Sequence, residues 1–114
     1  MARREVRWSE DAEKDLNAIV SYIAHDNAIS ALQILDRLHA RARSLEILST
    51  RGRRIPELSI SNVSPLRELI EGPWRIMYAT DGGVALVIAV VDSRRSLETW
   101  FARRFELDSP APRD

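Results

Sequence analysis

Residues Leu66–Tyr78 read LRELIEGPWRIMY, followed by the turn Asp81-Gly82-Gly83 and the apolar run Val84–Val91. Arg67–Glu71 has strand character, Gly72-Pro73 turns the chain, and Trp74–Ala79 returns as a second strand. Asp81-Gly82 between apolar runs is a hairpin signal. Val84–Val91 is β-branched and apolar at successive positions, as expected of a strand covered on both faces. Alternation sends Trp74, Ile76 and Tyr78 to one face of the sheet and Arg75, Met77 and Ala79 to the other. One set from the next strand, Ala85, Val87, Ala89 and Val91, is expected to join the second face. That face is apolar but shallow, and it holds an arginine. A cation on a central strand costs stability unless its charge is paired or used.

Upstream, Arg4–Trp8 alternates charged and apolar residues and reads as a short strand. Ser9 is an N-cap, with Glu10, Asp11 and Glu13 where the helix dipole favours acids. Ala12, Leu16, Ile19, Val20 and Ile23 then recur at helical spacing, so a helix runs to about Ala24. Asp26-Asn27 breaks it and caps a second helix bearing Ala31, Leu35, Leu38, Ala42, Leu45 and Leu48 on one face, stopping near Ser49. Two helices joined this closely form a hairpin that must cover something apolar. An irregular loop with Pro56 occupies Gly52–Ser64. Ser96 caps a last helix with an apolar stripe of Leu97, Trp100, Phe101 and Phe105. The order is β-α-α-β-β-β-α. This is an α+β fold with a helical hairpin on one face of a small, mainly antiparallel sheet. Trp74, Ile76 and Tyr78 should meet the hairpin, and the last helix or a partner chain should cover the second face.

The chain has 114 residues, 45% of them hydrophobic and 30% charged, which bounds it to a single domain, read as 1–108 with a Pro-containing tail at 109–114 expected to be disordered. Formal net charge is zero, so nothing global points to nucleic acid or a membrane. Charge is nonetheless segregated: the first helix is acidic, and Arg37–Arg54 is basic enough to form a patch or a solvated helix face. There is no cysteine, which removes disulfides and thiolate chemistry and accords with a cytoplasmic protein. Glu10, Asp11, Glu13 and Asp15 occupy a helix start, where acids are favoured anyway. No zinc, EF-hand or Gly-rich phosphate motif occurs, so no metal and no cofactor are expected.

Three segments together resemble the RelE/ParE toxins of bacterial type II toxin–antitoxin modules. They are VRWSEDAEKDLNAIVSYIAHDNAISA, GRRIPEL and LRELIEGPWRIMY, followed by an apolar strand ending in Arg94-Arg95. The resemblance spans about Val6 to Arg95. It implies a small cytoplasmic protein that arrests growth and is neutralised in a hetero-oligomeric complex with a cognate antitoxin, whose C-terminal segment wraps the toxin. Under it, Arg75, Met77, Val87, Ala89 and Val91 are the antitoxin-binding candidates.

The resemblance leaves two modes of action. The RelE-type mode is ribosome-dependent cleavage of messenger RNA, with Arg75 and Arg94 at positions that match catalytic arginines. Trp100 falls where that branch often carries a tyrosine. Attack by a ribose 2′-hydroxyl needs a proton acceptor, a proton donor and cations. His25 and His39 lie in the helical hairpin, Lys14 is the single lysine, Tyr78 points to the core face, and arginine titrates too high to be a good base. The ParE-type mode poisons DNA gyrase by binding and needs no acid–base pair. The long hairpin with Tyr22–Asn27 at its bend resembles that branch, which is the reading taken. Arg94, Arg95 and Trp100 are then the target-binding candidates, and no catalytic residue is expected. A third reading is an inactive member that serves as an antitoxin-binding regulatory module.

Overall fold

The computed structural model describes residues 3–47, 52–58 and 66–104. The chain forms β1 (Glu5–Trp8), α1 (Glu10–Ala24), α2 (Ala28–Arg43), β2 (Arg53–Arg54), β3 (Arg67–Glu71), β4 (Trp74–Asp81), β5 (Val84–Asp92) and α3 (Leu97–Arg104). The five strands make one sheet in the order β1-β5-β4-β3-β2, antiparallel except for the parallel β1–β5 pair. This is the α+β architecture expected, with β2 added. The expected tail, Phe105 and Leu48 lie outside the described residues.

Local chemistry sets the element ends. Ser9 caps α1 by accepting from the Ala12 amide, and Asn27 caps α2 by accepting from the Ser30 amide. The α2 helix ends at Arg43, earlier than the apolar spacing suggests. There Ser44 Oγ donates back to the Arg41 carbonyl at 2.6 Å, and the chain tightens into a 3₁₀ turn over Ser44–Glu46. That turn keeps Leu45 buried and leaves the Glu46 carbonyl to accept from the Arg4 amide. Gly72 and Gly82 both have φ near +60°, the left-handed conformation required at the first position of the two tight hairpins.

Trp74, Ile76 and Tyr78 pack with Ala12, Leu16, Leu38 and Leu45 of the helical layer, as alternation requires. The second face is covered by α3: Leu97 and Trp100 pack on Met77, Ala89 and Val91, with Ile55 beside them. The expected set Ala85, Val87, Ala89 and Val91 does not share this face. Met77 pairs with Ala89 and Tyr78 with Val87, so Ile88 is an extra residue and β5 carries a bulge. The bulge switches the alternation: Ala85 and Val87 face the helical hairpin, whereas Ile88, Ala89 and Val91 face α3.

The bulge also falls where β1 has ended, so β5 has an open edge beyond Val87. Side chains close it. Asp15 Oδ2 accepts from the Val90 amide at 3.0 Å, and Arg104 Nη1 donates to the Ile88 carbonyl at 3.2 Å. An irregular strand edge that would otherwise invite pairing is thereby satisfied from α1 and α3.

Near β2, the Gly52 amide donates to Tyr78 Oη at 2.9 Å. A Cβ at Gly52 would stand 2.7 Å from both the Glu68 carbonyl oxygen and Tyr78 Cε1. Gly52→Ala is therefore expected to lower stability by about 1–3 kcal/mol, the usual range for overpacking, as read from urea unfolding midpoints.

Candidate functional site

Arg75 is 5% exposed and Glu68 1% exposed, although both are charged residues on neighbouring strands. Arg75 Nε donates to Glu68 Oε1 at 2.7 Å and Nη2 to Glu68 Oε2 at 3.2 Å. The same guanidinium reaches Glu57 through Nη1 at 3.0 Å and Nη2 at 2.8 Å. Two carboxylates thus hold the guanidinium in paired hydrogen bonds, the strongest geometry available to it. Arg53 adds a contact to Glu68 Oε2 at 2.7 Å. The cluster ties β2, β3 and β4 to the 3₁₀ turn Pro56–Leu58. Opposite charges across the hairpin offer Glu68 or Glu71 as partners from sequence, and the structure selects Glu68; Glu57 has no such signal, because it arrives from a loop with no regular register to β4.

The charges respond to one another. The hydrogen bonds from Arg75 pull the Glu57 carboxyl below its ordinary range despite burial, and the same partnership raises Arg75 further above its already high value. At the other side of the sheet, burial opposes ionisation of Glu71, but hydrogen bonds from Arg37 and Arg41 outweigh it and its pKa is lowered. Glu71 is thus committed to α2 and is not a partner of Arg75. It also pairs with two arginines of the basic stretch, offsetting one of their two charges.

The remaining candidates separate into buried and exposed groups. Met77, Val87 and Ala89 are wholly buried and Val91 nearly so, with Val87 on the hairpin side. In the folded chain none of these side chains faces outward. Trp100 is 8% exposed, and the Arg104 guanidinium carbon lies 4.6 Å from the centre of its ring. Arg94 and Arg95 are exposed in the turn between β5 and α3. Arg94 folds back on Asp92, with Nη2 at 2.6 Å from Oδ2 and its amide at 2.8 Å from Oδ1. These hydrogen bonds draw Asp92 down to about 2. His39 stacks edge-on against Trp8 at 5.6 Å between centroids. Among the described residues no group of three or more His, Asp or Glu side chains could hold a metal ion.

A second constellation escaped the sequence reading. Asp15, Arg95, Ser96, Thr99, Trp100, Arg103 and Arg104 line a cleft of about 510 Å³ between α1 and α3. Its floor is the Asp15–Arg104 ion pair, 2.6 Å long and mostly buried. The one available signal was the spacing of Thr99 and Arg103, and of Trp100 and Arg104, one helical turn apart. No helix among the described residues is long and apolar enough to cross a membrane.

Arg75→Ala leaves Glu68 buried without its main cation and is expected to cost about 3–5 kcal/mol; a merely surface arginine would change the urea midpoint little. Asp92 contributes stability that is full above its unfolded value, near pH 4 by order of magnitude, and that is lost as pH falls through its folded value of about 2. Asp92→Asn should therefore flatten the acid limb of stability between these limits and leave its slope at neutral pH unchanged.

Residues 6–97 match the family described as ParE toxin of type II toxin-antitoxin system, parDE. A solved structure titled "Chromosomal ParDE TA system from P. aeruginosa" superposes with a TM-score of 0.66 at 19% identity, covering 79% of this chain and 96% of that one. No curated protein matches. At that identity the structural likeness concerns the fold, whereas the family match covers most of the sequence: the chain belongs to the ParE toxin family of type II toxin–antitoxin systems.

Proposed function

We propose that this toxin arrests growth by binding and poisoning DNA gyrase, and that a cognate antitoxin neutralises it. The observation that carries this reading is the burial of Arg75. A cation that stabilises charge at a scissile phosphate must be free to meet that phosphate. Here Arg75 is committed to Glu57 and Glu68, and any incoming phosphate would have to displace two carboxylates. Arg94, the other arginine of the nuclease reading, stands in the exposed β5–α3 turn paired with Asp92. A binding mode asks for neither group to do acid–base work.

The target-facing surface is the β5–α3 turn with Arg94 and Arg95. Trp100 contributes by anchoring α3, since its ring is buried against Met77, Ala89 and Val91. Neutralisation acts on the same side of the sheet. An antitoxin segment that reaches Met77, Ala89 and Val91 must lift α3, which would carry the Arg94-Arg95 turn with it. Arg75, enclosed by carboxylates, and Val87, which faces the helical hairpin, would meet an antitoxin only after a larger rearrangement.

The combined variant Arg94→Glu/Arg95→Glu is expected to lose inhibition of purified gyrase in a supercoiling assay while keeping its circular dichroism and unfolding midpoint. Full inhibition by the folded variant would remove these arginines from the target surface. Cleavage of ribosome-bound transcripts by the wild-type toxin, with gyrase untouched, would overturn the reading as a whole.

A further inference from the structure

The cleft between α1 and α3 is lined almost wholly by hydrogen-bond donors. Asp15 is the one acid among its described lining residues, and both of its oxygens are engaged, Oδ1 by Arg104 and Oδ2 by the Val90 amide. Arg104 is likewise spent on Asp15 and the Ile88 carbonyl. Arg95 and Arg103 differ. Both are exposed, and among the described residues no carboxylate forms a salt bridge with either. Among the described residues the lining thus carries two guanidinium groups outside any salt bridge, Arg95 acting on Asp92 only through space, on a protein whose formal net charge is zero. Thr99 stands one turn before Arg103, about 6 Å along the helix axis. Arg95 precedes the first turn of α3, where the positive end of the helix dipole adds to its charge. The donors thus form a row along the cleft and not a single point.

We propose that this cleft holds the phosphodiester backbone of a DNA strand, with Arg95 and Arg103 on phosphates and Thr99 Oγ1 donating between them. The proposal rests on the gyrase reading and deepens it, because gyrase presents DNA together with protein. Arginine and hydroxyl donors in a row suit successive phosphate groups, which position a strand without reading its sequence. An acidic peptide fits the cleft less well. Stable peptide docking needs an apolar anchor in a desolvated pocket, and Trp100, the aromatic ring at this site, is buried with Arg104 laid over it. The same cover leaves no exposed ring there for base stacking, so contact is confined to the backbone.

The test is fluorescence anisotropy of the full-length toxin with a labelled oligonucleotide, single-stranded in one arm and duplex in the other, across a salt series. Binding is expected to weaken as salt rises. Arg103→Glu should reduce affinity at low salt by about tenfold or more, and Arg103→Gln should lower the salt slope by roughly one. Arg43→Glu, an equal charge change at an exposed position outside the cleft, should leave affinity within about twofold of wild type. Absence of binding at low salt, equal losses at Arg43 and Arg103, or equally tight binding of a polyglutamate peptide would each overturn the proposal. Gyrase inhibition by protein that binds neither oligonucleotide would sink the cleft assignment and leave the gyrase reading standing. Oligonucleotide binding lost through Arg103, in a toxin that does not affect gyrase, would do the reverse.

Discussion

A guanidinium buried between two carboxylates organises one half of this molecule. Arg75 joins β4 to β3 through Glu68 and to the Pro56–Leu58 turn through Glu57, so an irregular segment is fastened to two paired strands. Pairing of this kind is weak grounds for overall stability, because desolvating the ions costs as much as their attraction returns. In the observed arrangement the Pro56–Leu58 turn and β3 together take up its donors through Glu57 and Glu68. The Gly52 amide on Tyr78 and the Arg67 guanidinium on the Gly52 carbonyl fasten the same corner.

The other half of the sheet is organised by an irregularity. The bulge at Ile88 comes one residue after the last β1 pairing, and it hands Ala89 and Val91 to α3 while Val87 remains with the helical hairpin. The backbone groups exposed by this change are taken up by Asp15 and Arg104, which then pair with each other. The position of α3 follows from that exchange, and with it the position of the Arg94-Arg95 turn and the basic cleft. A surface carrying Arg95 and Arg103 is thereby built between α1 and α3.

Much of this was legible in the residues. Caps at Ser9 and Asn27, turn glycines at Gly72 and Gly82, and alternation along Trp74–Tyr78 are local signals that tertiary structure had no reason to override. The bulge was not legible, because Val84–Val91 is apolar at nearly every position and such a run has no period to break. The cleft left only a faint trace in the residues: Asp15 and Arg104 meet across 89 positions, and each reads locally as an ordinary helix charge. The full pairing of Arg75 was hidden for a related reason. A strand arginine looks available until the loop residue that neutralises it, here Glu57, has been placed.

Arg75 keeps its charge inside the toxin and, on the proposed function, does not meet the target. The most direct measurement replaces the buried pair by apolar residues of similar size, Arg75→Met with Glu68→Leu, and assays the purified double variant against gyrase. Such replacements of buried ion pairs are often neutral or stabilising, so a folded protein is expected, and it should inhibit gyrase as the wild type does. A variant that folds with native circular dichroism and a cooperative unfolding transition, yet no longer inhibits, would contradict the account and return Arg75 to the functional surface.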